Sequence, residues 1–196
     1  MVPRYGLVIS VLMGSTHLFA MSPGMLPMTS LYKLYNKPAL QQVLIEYEKG
    51  DTYEGLKRSG IAYHNLAVLN VGGASVKAIR YLKKAYERNP SDSITLAYLG
   101  SATTMSARDS WNIFTKMEEA NRGFNMLYKA VALDPNNAIL RVIRINNSLE
   151  APDFLGRKRM IKPDLSKIDQ ILSDTPGQLD VETLDNLRKK TGKINP

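Results

Sequence analysis

Beyond residue 20 the chain carries a single histidine, His64, and it has no cysteine anywhere. A serine–histidine–carboxylate relay would have to run through His64, which falls on the periodic face of a helix. There is no HExxH, no glycine-rich phosphate loop and no EF-hand spacing. Neighbouring carboxylates such as Glu118 and Glu119 diverge by about 100 degrees on a helix, a poor geometry for an acid/base pair. The missing cysteine also removes thiol catalysis, disulfides and cysteine-based metal sites. The residue types therefore argue against an enzyme, and no cofactor or metal is expected.

What remains is the chemistry of contact. The only tryptophan, Trp111, is followed by Phe114 and Met117. Large rigid apolar groups on a segment that interrupts a pattern are a common binding feature. The i, i+3, i+6 spacing equally fits side chains that pack back onto their own helices, and the periodicity favours that plainer reading. Basic residues form a stripe, Lys77, Arg80, Lys84 and Arg88, and two short clusters, Arg157-Lys158-Arg159 and Arg188-Lys189-Lys190. Phosphate recognition needs several such charges converging. Nucleic-acid readout would add exposed aromatics or a groove-reading helix, and the sequence has neither, so nucleic acid is not an expected partner. The plainer reading of each run is a solvated helix face.

The 196 residues suit one domain or a domain with a tail, and a composition of 44% hydrophobic and 22% charged residues is that of a folded chain. The net charge of +8 favours acidic partners, an anionic membrane surface among them. At the start, Arg4 precedes an uncharged stretch, Tyr5 to Ala20, with Gly6 to Met13 as its apolar centre. A charged start, a short apolar run and a small residue at the exit describe an export signal. The run is shorter than the roughly 20 residues of a spanning helix, and an uncleaved N-terminal anchor is the alternative. The expected location is outside the cytoplasm, periplasmic or secreted.

The elements that would position these residues are helices. Residues 21–37 read as a linker rich in proline and methionine. A helix begins near Pro38 with Ala39, Leu40, Val43, Leu44 and Tyr47 on one face, and Gly50-Asp51 ends it. A second, from Thr52, carries Leu56, Ile61, Tyr63, Leu66 and Leu69 up to Gly72-Gly73. A third buries Ala78, Ile79, Leu82, Ala85 and Tyr86 and stops at Asn89-Pro90, after which Ser91-Asp92 can cap a fourth.

Two segments match 45 residues apart. Tyr81 to Pro90 lies over Met126 to Pro135, with Leu, Lys, Ala and Pro in register. Tyr63, Leu66, Ala67, Ala78, Leu82, Ala85 and Pro90 together resemble one tetratricopeptide repeat. Leu96, Leu99, Gly100, Gly123, Leu127, Ala130 and Pro135 resemble a second. Leu140, Ile143, Ile168, Ile171 and Pro176 suggest a degenerate third, with Arg144 where a small residue is usual. The period of that family is about 34 residues, so the second copy holds a surplus, placed around Ser106 to Arg122.

The resemblance implies an all-α fold, a right-handed stack of about three antiparallel helical hairpins. The expected organisation is a signal or anchor over 1–20, a linker over 21–37 and a helical domain over 38–196. Within the domain the units span about 60–90, 91–135 and 136–176, with a capping helix near 179–190. Such arrays hold a partner without chemistry of their own. In that family ligands rest against exposed positions of the first helix of each hairpin. Carried over by register, these are His64, Val68, Ala97, Ser101, Thr104, Arg141 and Ile145, with Trp111 and Phe114 added by the insertion. A carboxylate clamp is not expected, because the register offers one Arg and one His without the Lys and Asn set. The implied function is a non-catalytic scaffold for another protein or peptide, an extended segment or a helix in a mixed groove. Peripheral binding to anionic lipid, a small enclosed ligand and self-association are the other readings.

Overall fold

The computed structural model describes residues 26–109 and 112–192. The expected export signal and Trp111 lie outside them. Among the described residues the chain is helical throughout, without strands. The α-helices are α1 (Met28–Leu31), α2 (Lys37–Tyr47), α3 (Tyr53–Val68), α4 (Ala74–Arg88), α5 (Ser93–Asp109), α6 (Ile113–Leu133), α7 (Ala138–Glu150), α8 (Ile161–Asp174) and α9 (Val181–Thr191).

Short polar side chains start most of them by accepting from the first free backbone N–H groups. Asn36, Thr52, Asn112, Asn137 and Asp180 do so for α2, α3, α6, α7 and α9. Asp92 serves α5, with Oδ1 accepting from Ile94 N at 3.0 Å and Thr95 N at 3.2 Å. Its other oxygen accepts from Lys57 Nζ at 2.6 Å and from the Tyr53 hydroxyl. Burial alone would raise this carboxyl, but the bonds from Lys57, Tyr53 and Thr95 hold it down at about 2.

Proline stops recur with one geometry. The residue that ends α4, Asn89, has φ −139 and ψ 83. The residue that ends α6, Asp134, has φ −142 and ψ 78, and Thr175 after α8 has φ −139 and ψ 83. Each stands before a proline, whose ring drives the preceding residue out of the helical region, and each N–H still bonds back to the carbonyl four residues earlier.

Neighbouring helices pack in sequence order, α2 on α3, α3 on α4, α4 on α5, α5 on α6 and α7 on α8, while α3, α5 and α7 also touch one another in turn. Small residues set the closest approaches. A Cβ at Gly60 would fall 2.5 Å from Leu82 Cγ, and one at Gly100 would fall 2.7 Å from the carbonyl oxygen of Gly123. With Thr104 against Gly123 and Gly100 against Met126 and Leu127, α5 and α6 run antiparallel. Helices α5 and α6, on which the residues read as a surplus fall, have 17 and 21 residues, against 16 and 15 in α3 and α4.

The buried apolar residues fall into two clusters. The larger runs from Leu31 and α2 to Leu140 and Ile143 of α7, and the smaller joins Ala138 and Ile145 of α7 to Ile161, Ile168 and Ile171 of α8 and Leu187 of α9. Helix α7 therefore belongs to both. Its Arg144, at the position where the repeat pattern asks for a small residue, is accommodated by charge. Arg144 Nε and Nη2 donate to the two oxygens of Asp164 at 2.8 and 2.5 Å, and Arg141 Nη1 donates to Oδ1 at 2.8 Å. Asp164 is fully buried.

One expectation changes. The described part of the linker, residues 26–36, is not free chain. Leu31 is fully buried in the larger cluster, because α3 supplies side-chain donors for the carbonyls that this short segment cannot pair internally.

Candidate partner-binding face

The side of the fold where α3, α5 and α7 meet carries an unusual amount of buried polarity. Asn65 stands in the last turn of α3, where its side chain caps nothing and helix propensity disfavours it. It is fully buried, and its Nδ2 donates to the carbonyls of Leu31 at 2.9 Å and Leu34 at 3.0 Å. Its Oδ1 lies 2.9 Å from His64 Nδ1, and His64 Nε2 lies 2.8 Å from Ser101 Oγ on α5. Asn147 Nδ2, on α7, donates to the same Ser101 Oγ at 2.9 Å and to Ile143 O at 2.8 Å, and Asn147 Oδ1 accepts from Thr104 Oγ1.

The proton directions follow from these partners. Asn65 Oδ1 can only accept, so His64 carries its proton on Nδ1. Nε2 is then the acceptor, and the Ser101 hydroxyl donates to it. Burial, opposed in part by the Asn65 bond, pulls His64 down from 6.5 to about 4, so the ring is neutral at pH 7. The ring of Tyr98 meets His64 edge-on at 4.8 Å, and Tyr32 lies against Tyr98 at 5.7 Å. The line Ser101–His64–Asn65 follows the order hydroxyl, base and orienting amide, with all three side chains buried. It ties helices together.

Of the positions expected to be exposed, Val68 is 45% exposed and Phe114 80%, while Thr104 is half-buried. The exposure expected of His64, Ala97, Ser101, Arg141 and Ile145 does not hold, for all five are buried. The reasons are local. Helix α5 is packed by α3, α4, α6 and α7 at once, which covers Ala97 and Ser101. Ile145 faces the smaller cluster, and Arg141 is engaged by Asp164. His64, Ser101 and Thr104 are brought together in one network. Ala97, Arg141 and Ile145 are not part of it. Sequence reasoning missed Asn65, Tyr98 and Asn147. Two asparagines inside helical segments, each a turn before the helix end, were the available signal.

Phe114 and Met117 depart from the plainer expectation, while Trp111, the third residue it concerned, lies outside the described residues. Ile113, Phe114 and Met117 are exposed, at 55%, 80% and 41%, so they do not pack back onto the helices. The basic stripe on α4 is exposed as expected, with Lys77 4.9 Å over the ring of Tyr63 and Arg80 4.9 Å over that of Tyr81. Arg157 instead lies 4.9 Å over Phe124 and donates to Asn121 at 2.6 Å. A surface hollow of about 540 Å³ is lined by Glu118, Asn121, Arg122, Asn125, Met126 and Lys129, all on α6. Among the described residues no group of His, Asp and Glu side chains is arranged to hold a metal ion.

No family model, no curated protein and no solved structure matches this chain.

Proposed function

We propose that the chain is a non-catalytic, tetratricopeptide-like scaffold, a right-handed stack of about three helical hairpins that holds a segment of another protein across α3, α5 and α7. The observation that carries this reading is the hydrogen-bonded line Asn65–His64–Ser101–Asn147–Thr104. It locks three helices to one another through side chains, so a docking segment meets a surface that loses little freedom on binding. The matching pre-proline bends after α4, α6 and α8 and the Gly100–Gly123 approach support the repeat reading. The apolar run behind Arg4 supports an exported location in the cell envelope or beyond it.

The test is site-specific photocrosslinking in the native cell. A crosslinker at Val68 and one at Thr104 should capture the same protein, and one at Lys84 on α4 should not. No adduct at either face position, or the same adduct at all three, would count against the reading.

A second reading has its own observation. Ile113 and Phe114 are exposed at the start of α6, and α4 carries a one-sided basic stripe, features that suit an anionic lipid surface. Sedimentation with phosphatidylglycerol vesicles across a salt series decides it, since a charge-driven association fades as salt rises.

A further inference from the structure

The seat for a partner already holds a piece of the chain itself. Residues 26–36 run along α3 in its own direction. The carbonyl of Leu26 accepts from Arg58 Nη1 at 2.7 Å, and seven residues further along α3 Asn65 takes the carbonyls of Leu31 and Leu34. Leu31 fills the apolar position beneath. Tyr32 crosses to Tyr98 on α5, and Lys33 pairs with Asp180 at the start of α9. The segment thus touches the first two helices of the proposed face and reaches the far end of the chain.

Two properties of this grip resemble the holding of a ligand. Arg58 and Asn65 take main chain as their partner, and main-chain carbonyls are offered by any extended or turning segment. Only Leu31 is fully enclosed; Pro27, Thr29, Ser30, Lys33, Tyr35 and Asn36 are exposed. The helical part is one turn, Met28–Leu31, far below the roughly 12–15 residues at which an isolated helix becomes marginally stable. The segment therefore has little structure apart from its seat and can leave it without dismantling α3 or α5.

We propose that residues 26–36 are a strap, an intramolecular occupant of the partner-binding face that an incoming segment of similar chemistry displaces. That segment offers carbonyls to Asn65 and Arg58, an apolar side chain in the place of Leu31 and an aromatic one against Tyr98. This inference rests on the function proposed above. A tethered occupant competes at an effective concentration of about millimolar, and the partner's apparent affinity is lowered by the fraction of chains that are open. Because the Oδ1 of Asn65 is held by His64, its amide donors stay aimed at the seat when the strap leaves.

Two measurements on the full chain test this. Hydrogen exchange on the unmodified protein should show amides 30–34 exchanging at least about tenfold faster than those of α5, through an opening that leaves α3–α6 protected; equal protection overturns the proposal. Fluorescence anisotropy with a labelled peptide of residues 26–37 should show binding to Leu31→Asp at least about tenfold tighter than to the unmodified chain, and loss of that gain in Leu31→Asp/Asn65→Leu. A folded Leu31→Asp that ignores the peptide overturns the proposal, as does equal binding to both proteins. If Leu31→Asp fails to fold, Leu31 is needed for the core and the strap is not displaceable, which also overturns it. The Val68 crosslink separates the two ideas. A partner captured equally by the unmodified chain and Leu31→Asp keeps the scaffold and removes the strap, whereas peptide binding by Leu31→Asp without any captured partner does the reverse.

Discussion

Gly100 and Gly123 touch backbone to backbone: a Cβ on either would lie 2.7 Å from the carbonyl oxygen of the other. No side-chain rotation relieves such a contact. Replacing either by alanine gains about 1 kcal/mol of helix propensity and forces α5 and α6 apart at a cost of about 1–3 kcal/mol or more. The clash wins, and both variants should show a lower urea midpoint. Gly72→Ala is the control, since nothing lies within 4 Å of its added carbon. A Gly100→Ala protein as stable as the parent would contradict the geometry.

Asp164 is the single carboxylate between Arg141 and Arg144, and it is fully buried. Asp164→Asn keeps the shape but leaves two enclosed guanidinium groups without a counter-charge. Breaking a buried pair on one side costs about 3–5 kcal/mol. Circular dichroism melts should show a large loss of stability, and Asp164→Glu, which keeps the charge, should lose less. A loss below about 1 kcal/mol in Asp164→Asn would mean that water reaches the pair.

His64 supplies a pH dependence whose sign is fixed by its environment. Its folded value, about 4, lies below the unfolded 6.5, so the unfolded chain binds the extra proton in between. Stability contributed by the neutral ring is complete above about pH 6.5 and declines as pH falls toward 4, by about 2 kcal/mol between pH 7 and pH 5. Urea titrations at those two pH values check it. His64→Gln should flatten that interval, and an unchanged slope would show that the ring is solvated.

Phe114 and Phe124 occupy the same helix with opposite fates, 80% and 2% exposed. Phe114→Ser should change stability by less than about 0.5 kcal/mol, while Phe124→Ala should cost about 3–5 kcal/mol. If Phe114→Ser also weakens vesicle sedimentation, the lipid reading gains; if it weakens crosslinking at Val68 instead, the insertion takes part in holding the partner.

Helix starts and stops were legible because their causes are local. Proline after α6, proline in the first turn of α2 and aspartate before α5 each act within a few residues, and the structure has them where their chemistry puts them. The small residues at 100 and 123 were legible for the same reason, as positions in a pattern, whereas the close approach at Gly60 was not marked by it. The site was less so. Whether a first-helix residue faces outward depends on what else arrives there, and neither the cover that residues 26–36 place on α3 nor the packing of α7 on α5 is encoded in the spacing of α3 itself. That is why the pattern marks His64 and Ser101 as members of a face but not as its interior. The exposure of Phe114 was missed in the opposite direction, because periodicity describes where a side chain points and not whether another element stands there to receive it.

The chain leaves α4, α6 and α8 through the same bend, with backbone angles that agree within a few degrees at Asn89, Asp134 and Thr175. One local cause, a proline ring pressing on the residue before it, thus turns the same corner three times, and an alanine in place of Pro90, Pro135 or Pro176 would release Asn89, Asp134 or Thr175 from that constraint.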